Sequence, residues 1–380
     1  MSRLNVMLPY LGEEEVDAVS EVLRSGWVAQ GPRVAAFEAA FAEVMQASHA
    51  VATSSCTTAL HLALLVAGVG PGDEVVVPSF SFIATANAAV YVGATPVFAD
   101  VDAITGNVTA ETVAAVLTER TRAVIAVDQG GVPVDLTPLR DLCDPRGVTV
   151  VEDAACGSGS TYRDRPVGAG AEITAWSFHP RKIITTGEGG MITSARSDWA
   201  DRARRLREHA MSVSAADRHA SVLAPAESYV EVGFNFRMTD LQAAVGLVQL
   251  RRLPEIVERR RQLAATYAKH LDEIPGLRAV TDPEWGTSNF QSYWVEVGPE
   301  AAPLTRDGLL VRLADADISA RRGIMAAHRQ PPYAGRVAAG ALPVTERLTD
   351  DTLILPLFHQ MNESEQARVV EVLRTASARV

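Results

Sequence analysis

Of the 35 basic side chains in this 380-residue chain, only Lys182 and Lys269 are lysine, and the other 33 are arginine. Lys182 closes the segment Ala175-Trp-Ser-Phe-His-Pro-Arg-Lys182, in which a strand reaches Phe178, Pro180 stops it, and the glycine-rich return IITTGEGGM follows. Arginine keeps its proton near neutral pH, whereas a lysine amine can shed it and condense with a carbonyl. A surface lysine is the ordinary alternative. In a chain that uses arginine almost everywhere, however, a lysine at a sheet edge points to a need that arginine cannot meet. TGEGG does not match GxxxxGK[ST], so the lysine does not belong to a phosphate loop of the NTPase kind.

Two further groups extend that chemistry. Asp153 ends the run VTVVED, at the carboxyl end of a central strand where open α/β sheets bind their ligands. A carboxylate buried there needs a partner. A protonated heteroaromatic nitrogen would serve; capping of the loop AACGSGS is the other reading. Ser54 to Thr58 precede a helix that runs to Gly68, apolar on nearly every face. Its first turn offers free N–H groups, a positive dipole end and hydroxyls, which suit a phosphate, although capping by Ser55 or Thr57 would also explain them. A phosphate cradle, an acid for a ring nitrogen and a lysine for an aldehyde together describe a site for pyridoxal 5'-phosphate (PLP).

The elements that must position these groups follow a βαβ pattern. Glu74–Pro78, Thr95–Asp100, Ala123–Asp128 and Thr149–Asp153 read as strands separated by helical patterns, with Ile173–Phe178 and Gly190–Ser194 close behind. The continuous apolar character of AVIAVD and VTVVED predicts a mostly parallel sheet with both faces covered. Thr239 caps a helix over TDLQAAVGLVQLRRL, and Pro254 opens a second helical stretch. NFQSYWVEV reads as a strand, RDGLLVRLADADI and ESEQARVVEVL as helices, and PAESYVEV as a loop. The expected organisation is a large α/β domain over residues 1–245 and a smaller α+β domain over 246–380.

Composition narrows the function classes. A net charge of −11 argues against binding nucleic acid, which needs clustered Lys and Arg. No apolar run approaches the roughly 20 residues that span a bilayer. The N-terminus lacks the pattern of a secretory signal, and Cys56, Cys143 and Cys156 form neither a paired framework nor a metal motif, so the expected compartment is the cytoplasm. The glycines of GVGPG and GAGA do not match a dinucleotide-binding GxGxxG.

The chain resembles the DegT/DnrJ family of sugar aminotransferases, within the fold-type-I PLP superfamily. The resemblance runs through SSCTTALHLALL, GPGDEVVVPSFSFIATANA, GATPVFADVD, VVEDAA, SFHPRKIITTGEGGM, GFNFRMTDLQAA, RRGIMAAHRQPPY and LPVTERLTDDTLILPLF, which together cover nearly the whole chain. It implies a mostly parallel seven-stranded sheet between helices, with Lys182 as the Schiff-base lysine and proton carrier and Asp153 as partner of the pyridine nitrogen. Cys56, Thr57 and Ser177 would cup the phosphate. Phe82 would stack on the ring, with Phe80 as the fallback and core packing as the alternative for either. Asn235 would reach the phosphate of the neighbouring subunit in a homodimer, and Arg237 beside it would be an ion-pairing or a structural residue. His179 would lie near the site, with His328 and Tyr333 near the nucleotide-sugar cleft.

The implied reaction is ping-pong transfer of an amino group, from L-glutamate through pyridoxamine phosphate to the keto group of a nucleotide-linked sugar. A cyclitol or an unlinked keto sugar is an alternative acceptor, and a PLP-binding regulator without turnover an alternative role. Two departures stand out: Cys156 where many relatives carry Gln, and Asp128-Gln-Gly-Gly where relatives often carry a His-containing turn, a change expected to alter the substrate pocket.

Overall fold

The computed structural model describes residues 3–213 and 226–378. Its main sheet has seven strands: β1 (His49–Thr53), β2 (Glu74–Pro78), β3 (Thr95–Ala99), β4 (Thr121–Val127), β5 (Thr149–Asp153), β8 (Ile173–Ser177) and β9 (Gly190–Ser194). The short β6 (Thr161–Tyr162) and β7 (Arg165–Pro166) form a hairpin between β5 and β8. The spatial order is β1-β9-β8-β5-β4-β2-β3, with β9 alone antiparallel to its neighbours. The six strands expected from the sequence are all present. β1 completes the sheet; its short HAVAT run carries little strand signal of its own.

Helices cover both faces. Helices Cys56–Val66, Ile83–Tyr91 and Ser197–Leu206 pack with Val75, Ile125 and Ile173 on one side. Phe37, Phe41, Trp176 and Phe178 form an edge-to-face aromatic cluster on the other, beneath the helix Asp240–Leu271. Trp176 is sealed into β8 by its indole N–H, which donates to Thr193 Oγ1 at 2.9 Å. Gly168 leaves its ring room: a Cβ at that position would lie 2.6 Å from the indole.

A four-stranded antiparallel sheet follows, built from β10 (Leu277–Ala279), β12 (Tyr293–Val297), β13 (Arg321–Arg322) and β14 (Thr352–Leu355). β11 (Gly286–Thr287) instead joins the β6–β7 hairpin. One continuous apolar cluster links Val76 and Val124 of the large sheet to Trp294, Leu353 and Leu355 of the small one. The described part of PAESYVEV is irregular, with one bridge from Tyr229 to Met211; its Pro225 lies outside the described residues.

One expectation needs correcting. Pro254 does not start a second helix, because Asp240–Leu271 is a single helix of 32 residues. Pro254 sits on its exposed side, while Leu250, Leu253 and Ile256 on the other side are buried, so packing holds the helix through the one hydrogen bond that proline removes. The division at residue 245 therefore falls inside this helix. Gly246 abuts the Phe37 ring, and Tyr267 stacks toward Tyr293 of the small sheet.

Candidate active site

Sheet register brings the chemistry to one edge. Thr53 of β1 pairs with Gly190 of β9, Gly190 pairs with Ser177 of β8, and Asp153 of β5 pairs with Ala175 of β8. The ends of β1, β5 and β8 therefore open on the same place, together with the helix Cys56–Val66 that leaves β1. Gly190 is obligatory there, since a Cβ on it would lie 2.4 Å from the Ser55 carbonyl group. Ser55 caps the helix through Thr58 N–H. The Cys56 and Thr57 N–H groups, at the first two helical positions, have no acceptor within the helix. Ser177 is buried beside them at the end of β8.

Lys182 rides on a loop that closes back on β8. Lys182 N–H donates to the His179 carbonyl at 2.8 Å, Thr186 N–H to the Phe178 carbonyl at 3.0 Å, and Phe178 N–H to the Gly189 carbonyl at 2.9 Å. Buried Ile183 and Ile184 anchor the loop from inside. Its amine then points to the end of β5, where Nζ donates to Cys156 Sγ at 3.2 Å. Asp153, 4% exposed, accepts from Thr85 Oγ1 at 3.1 Å, Ala155 N–H at 3.2 Å and more weakly Cys56 Sγ at 3.9 Å. Thr85, steadied by Ser81 Oγ at 2.8 Å, is a contact that sequence reasoning missed. Nothing in a lone threonine on an apolar helix marks it.

Burial pushes the Asp153 carboxyl up, against the pull of Lys182 and its hydrogen bonds. Burial also pushes the Cys56 thiol well up, with the Asp153 charge adding to it. For Lys182 burial alone would favour the neutral amine, yet the sulfurs of Cys156 and Cys56 and the Asp153 carboxylate outweigh it and hold the ammonium above its ordinary range.

Two more carboxyls lie beneath. Asp128 is fully buried, accepting Val134 N–H at 2.9 Å on Oδ1, and burial pushes it well up. Its Oδ2 faces Gly157, where a Cβ would come within 2.9 Å. Asp128 thus lies under the loop that follows Asp153. Glu152, on the opposite face of β5 from Asp153, is pushed by burial to about 7 despite a hydrogen bond from Thr174 Oγ1 at 3.1 Å. Between the ordinary carboxyl value of 4.5 and about 7 the folded chain binds the Glu152 proton that the unfolded chain has lost, so this group's contribution to stability falls as pH rises. Glu152→Gln is expected to flatten the decline in Tm between about pH 5 and 8, measured by thermal melts across that range.

The other expected residues separate into two groups. Phe82 is 66% exposed at the start of the helix Ile83–Tyr91, whereas Phe80 is wholly buried against Gly106, so only Phe82 is free to stack on a ligand. Asn235 is exposed and Arg237 half-buried in a loop whose Phe236 carbonyl accepts Ser54 N–H at 2.8 Å. His179 is partly exposed on the lysine turn, its Nε2 4.0 Å from Glu188, and burial lowers its pKa. His328 and Tyr333 are 7% and 2% exposed. His328 Nδ1 lies 2.6 Å from Ser79 Oγ, and Tyr333 OH donates to Asn87 at 2.5 Å with its ring against Phe98. These two fasten the C-terminal part to the large domain, at the end of β2 and on the helix Ile83–Tyr91.

The profile of the DegT/DnrJ/EryC1/StrS aminotransferase family matches residues 9–374. The chain belongs to this family. The aminotransferase TlmJ from Streptoalloteichus hindustanus is 39% identical over 99% of both chains, with a TM-score of 0.90. DesV from S. venezuelae, solved with a ketimine intermediate, is 32% identical over the whole of both chains, with a TM-score of 0.91. DesI, solved in the presence of its TDP-sugar product, is 31% identical over 100% of this chain and 94% of its own, with a TM-score of 0.90. This DegT/DnrJ protein is thus a PLP-dependent aminotransferase with the fold-type-I architecture, akin to sugar aminotransferases. Its site fits that cofactor: a buried acid suited to a cationic ring nitrogen, an amine beside it, and a helix N-terminus cradled by Gly190. Among the described residues, no helix is long and apolar enough to cross a membrane.

Proposed function

We propose that this protein transfers an amino group from L-glutamate to the keto group of a nucleotide-linked sugar, acting in the cytoplasm as a homodimer. The observation that carries the reading is the Lys182 amine held against Cys156 at the sheet edge on which Asp153 and the N-terminus of the helix Cys56–Val66 also open. Support for the acceptor comes from DesI, solved with its TDP-sugar product.

Bound PLP supplies an aldehyde and a ring that withdraws electrons from the reacting carbon. The protein's groups then take distinct tasks. Lys182 Nζ would hold the aldehyde and would be the group that takes up and returns the proton moved during transfer. Asp153 Oδ2, fixed by Thr85, keeps a positive ring nitrogen paired. The Cys56 and Thr57 N–H groups and the Ser177 hydroxyl bind the phosphate dianion. Phe82, exposed at the start of its helix, would cover one face of the ring and exclude water there. His179 and Arg237 stand on the rim, where substrate enters. Asn235 reaches toward the phosphate bound by a second copy of the chain.

The experiment is a screen of nucleotide-linked keto sugars, unlinked keto sugars and keto cyclitols with glutamate as donor, read by product mass. Amination confined to the linked sugars is expected; amination of only unlinked acceptors, or of none, refutes the reading. For the dimer, Lys182→Ala and Asn235→Ala proteins are each expected to be impaired and to recover activity when their subunits are mixed. No recovery in mixed dimers of confirmed composition rejects the cross-subunit role.

A further inference from the structure

Five residues of the C-terminal part, Ser288–Ser292, reach both catalytic loops at once. The Asn289 amide, 0% exposed, donates from Nδ2 to the carbonyls of Cys156 at 2.7 Å and Ser158 at 2.8 Å. Its Oδ1 accepts Gln291 N–H at 2.7 Å, and its own N–H donates to Ser160 Oγ at 3.0 Å. Gln291 Nε2 donates to the carbonyl of Arg181, the residue before Lys182, at 2.7 Å. One segment thus holds the backbone at both ends of the Lys182–Cys156 contact.

That segment is itself fixed. Phe290 adopts a left-handed φ of 51°, which a bulky residue keeps only where its surroundings enforce it. The guanidinium of Arg260, fully buried in the long helix, supplies the enforcement. It donates to the Phe290 carbonyl at 2.7 and 3.1 Å, to Gln291 at 2.8 Å and to Leu357 at 2.9 Å. Opposite Asn289 the approach is so close that only glycine fits: a Cβ on Gly131 would lie 2.0 Å from Asn289 Oδ1.

We propose that Cys156 is the resting partner of the Lys182 amine, held at its distance by Asn289. When the amine is free of cofactor, the thiol gives it a fixed acceptor, so the nitrogen waits in place instead of swinging to solvent. Cys156 is thus a positioning residue. The charged and titratable groups around the amine are Asp153 from β5, Cys56 from the helix after β1, Cys156 from the loop after β5, and His179 from its own turn. Of these, Cys156 alone has a hydrogen bond to Nζ among the described residues.

The chain's lysine content makes the test direct, because Lys269 is exposed and serves as the internal reference. The cofactor-free full chain is labelled with trace acetic anhydride across a pH series, and the ratio of acetylated Lys182 to acetylated Lys269 is read by mass. Cys156→Ala is expected to lower the pH midpoint of Lys182 labelling by about one unit. Cys156→Ser should lower it less, and Asn289→Ala should move it in the same direction as Cys156→Ala. Should Asn289→Ala fail to fold, Gln291→Met, at a partly exposed position, tests the same segment and carries the same expectation. A Cys156→Ala midpoint equal to the native one overturns the proposal, and an unmoved midpoint in the Asn289 or Gln291 variant overturns its second clause. The proposal rests on the transaminase reading only for why the amine must wait. Labelling needs no turnover, so failure of that reading and failure of this proposal are distinct results.

Discussion

Lys182→Ala lowers the rate of amino transfer by a factor of about 10⁴ or more, because it removes both the anchoring amine and the group that carries the proton. Lys182→Arg is expected to be as inactive: the side chain keeps its charge and its reach but cannot surrender a proton near neutral pH. The variants should remain folded, since Ile183 and Ile184 and the Phe178–Gly189 pairing, not the amine, hold the loop. Borohydride treatment of the native protein with its cofactor should place the label on Lys182. A label on Lys269, which lies on the exposed side of the long helix, would refute the assignment. Steady-state kinetics and peptide mapping make both measurements.

The second large effect is expected from Asp153→Asn. The amide keeps the size of the side chain and can still accept from Thr85 Oγ1, but the negative charge that pairs a cationic ring is gone. Loss of one aimed electrostatic contact in a water-poor site costs about 10²–10³ in rate, and kcat should fall by at least that much. Stability should move the other way or hold. Burial raises the Asp153 pKa in the folded chain, so the ionised form opposes folding above the unfolded value, and a neutral amide removes that opposition. A variant with lower kcat and an undiminished Tm at pH 8 fits this account. Parallel loss of both would mean that Asp153 is structural.

Much of this was legible because the chemistry left marks in residue type. A lysine among 33 arginines, an acid ending VTVVED and hydroxyls opening an apolar helix are contrasts that a single sequence displays. The parallel strands were equally plain, since a strand buried on both faces reads as an unbroken apolar run. What escaped notice depends on partners distant in the chain. Thr85 matters because β5 brings Asp153 within 3.1 Å of it, and Asn289 because it crosses from the C-terminal part to the Cys156 carbonyl. The burial of His328 and Tyr333 was hidden for the same reason, as Ser79 and Asn87 lie some 250 positions earlier. Pro254 misled because a local rule was applied where burial on one side of a helix overrides it.

The unbroken helix through Pro254 also limits how the molecule can breathe. At 32 residues it is about 48 Å long, and it packs against Phe37 near one end and the Tyr293 layer near the other. A beam of that kind leaves no joint at which the two sheets could swing apart as separate bodies. Admission of a bulky acceptor then falls to the rim, to the turn of His179 and the strand-like loop of Asn235. Swapping those loops between relatives should transfer substrate preference without disturbing the frame beneath.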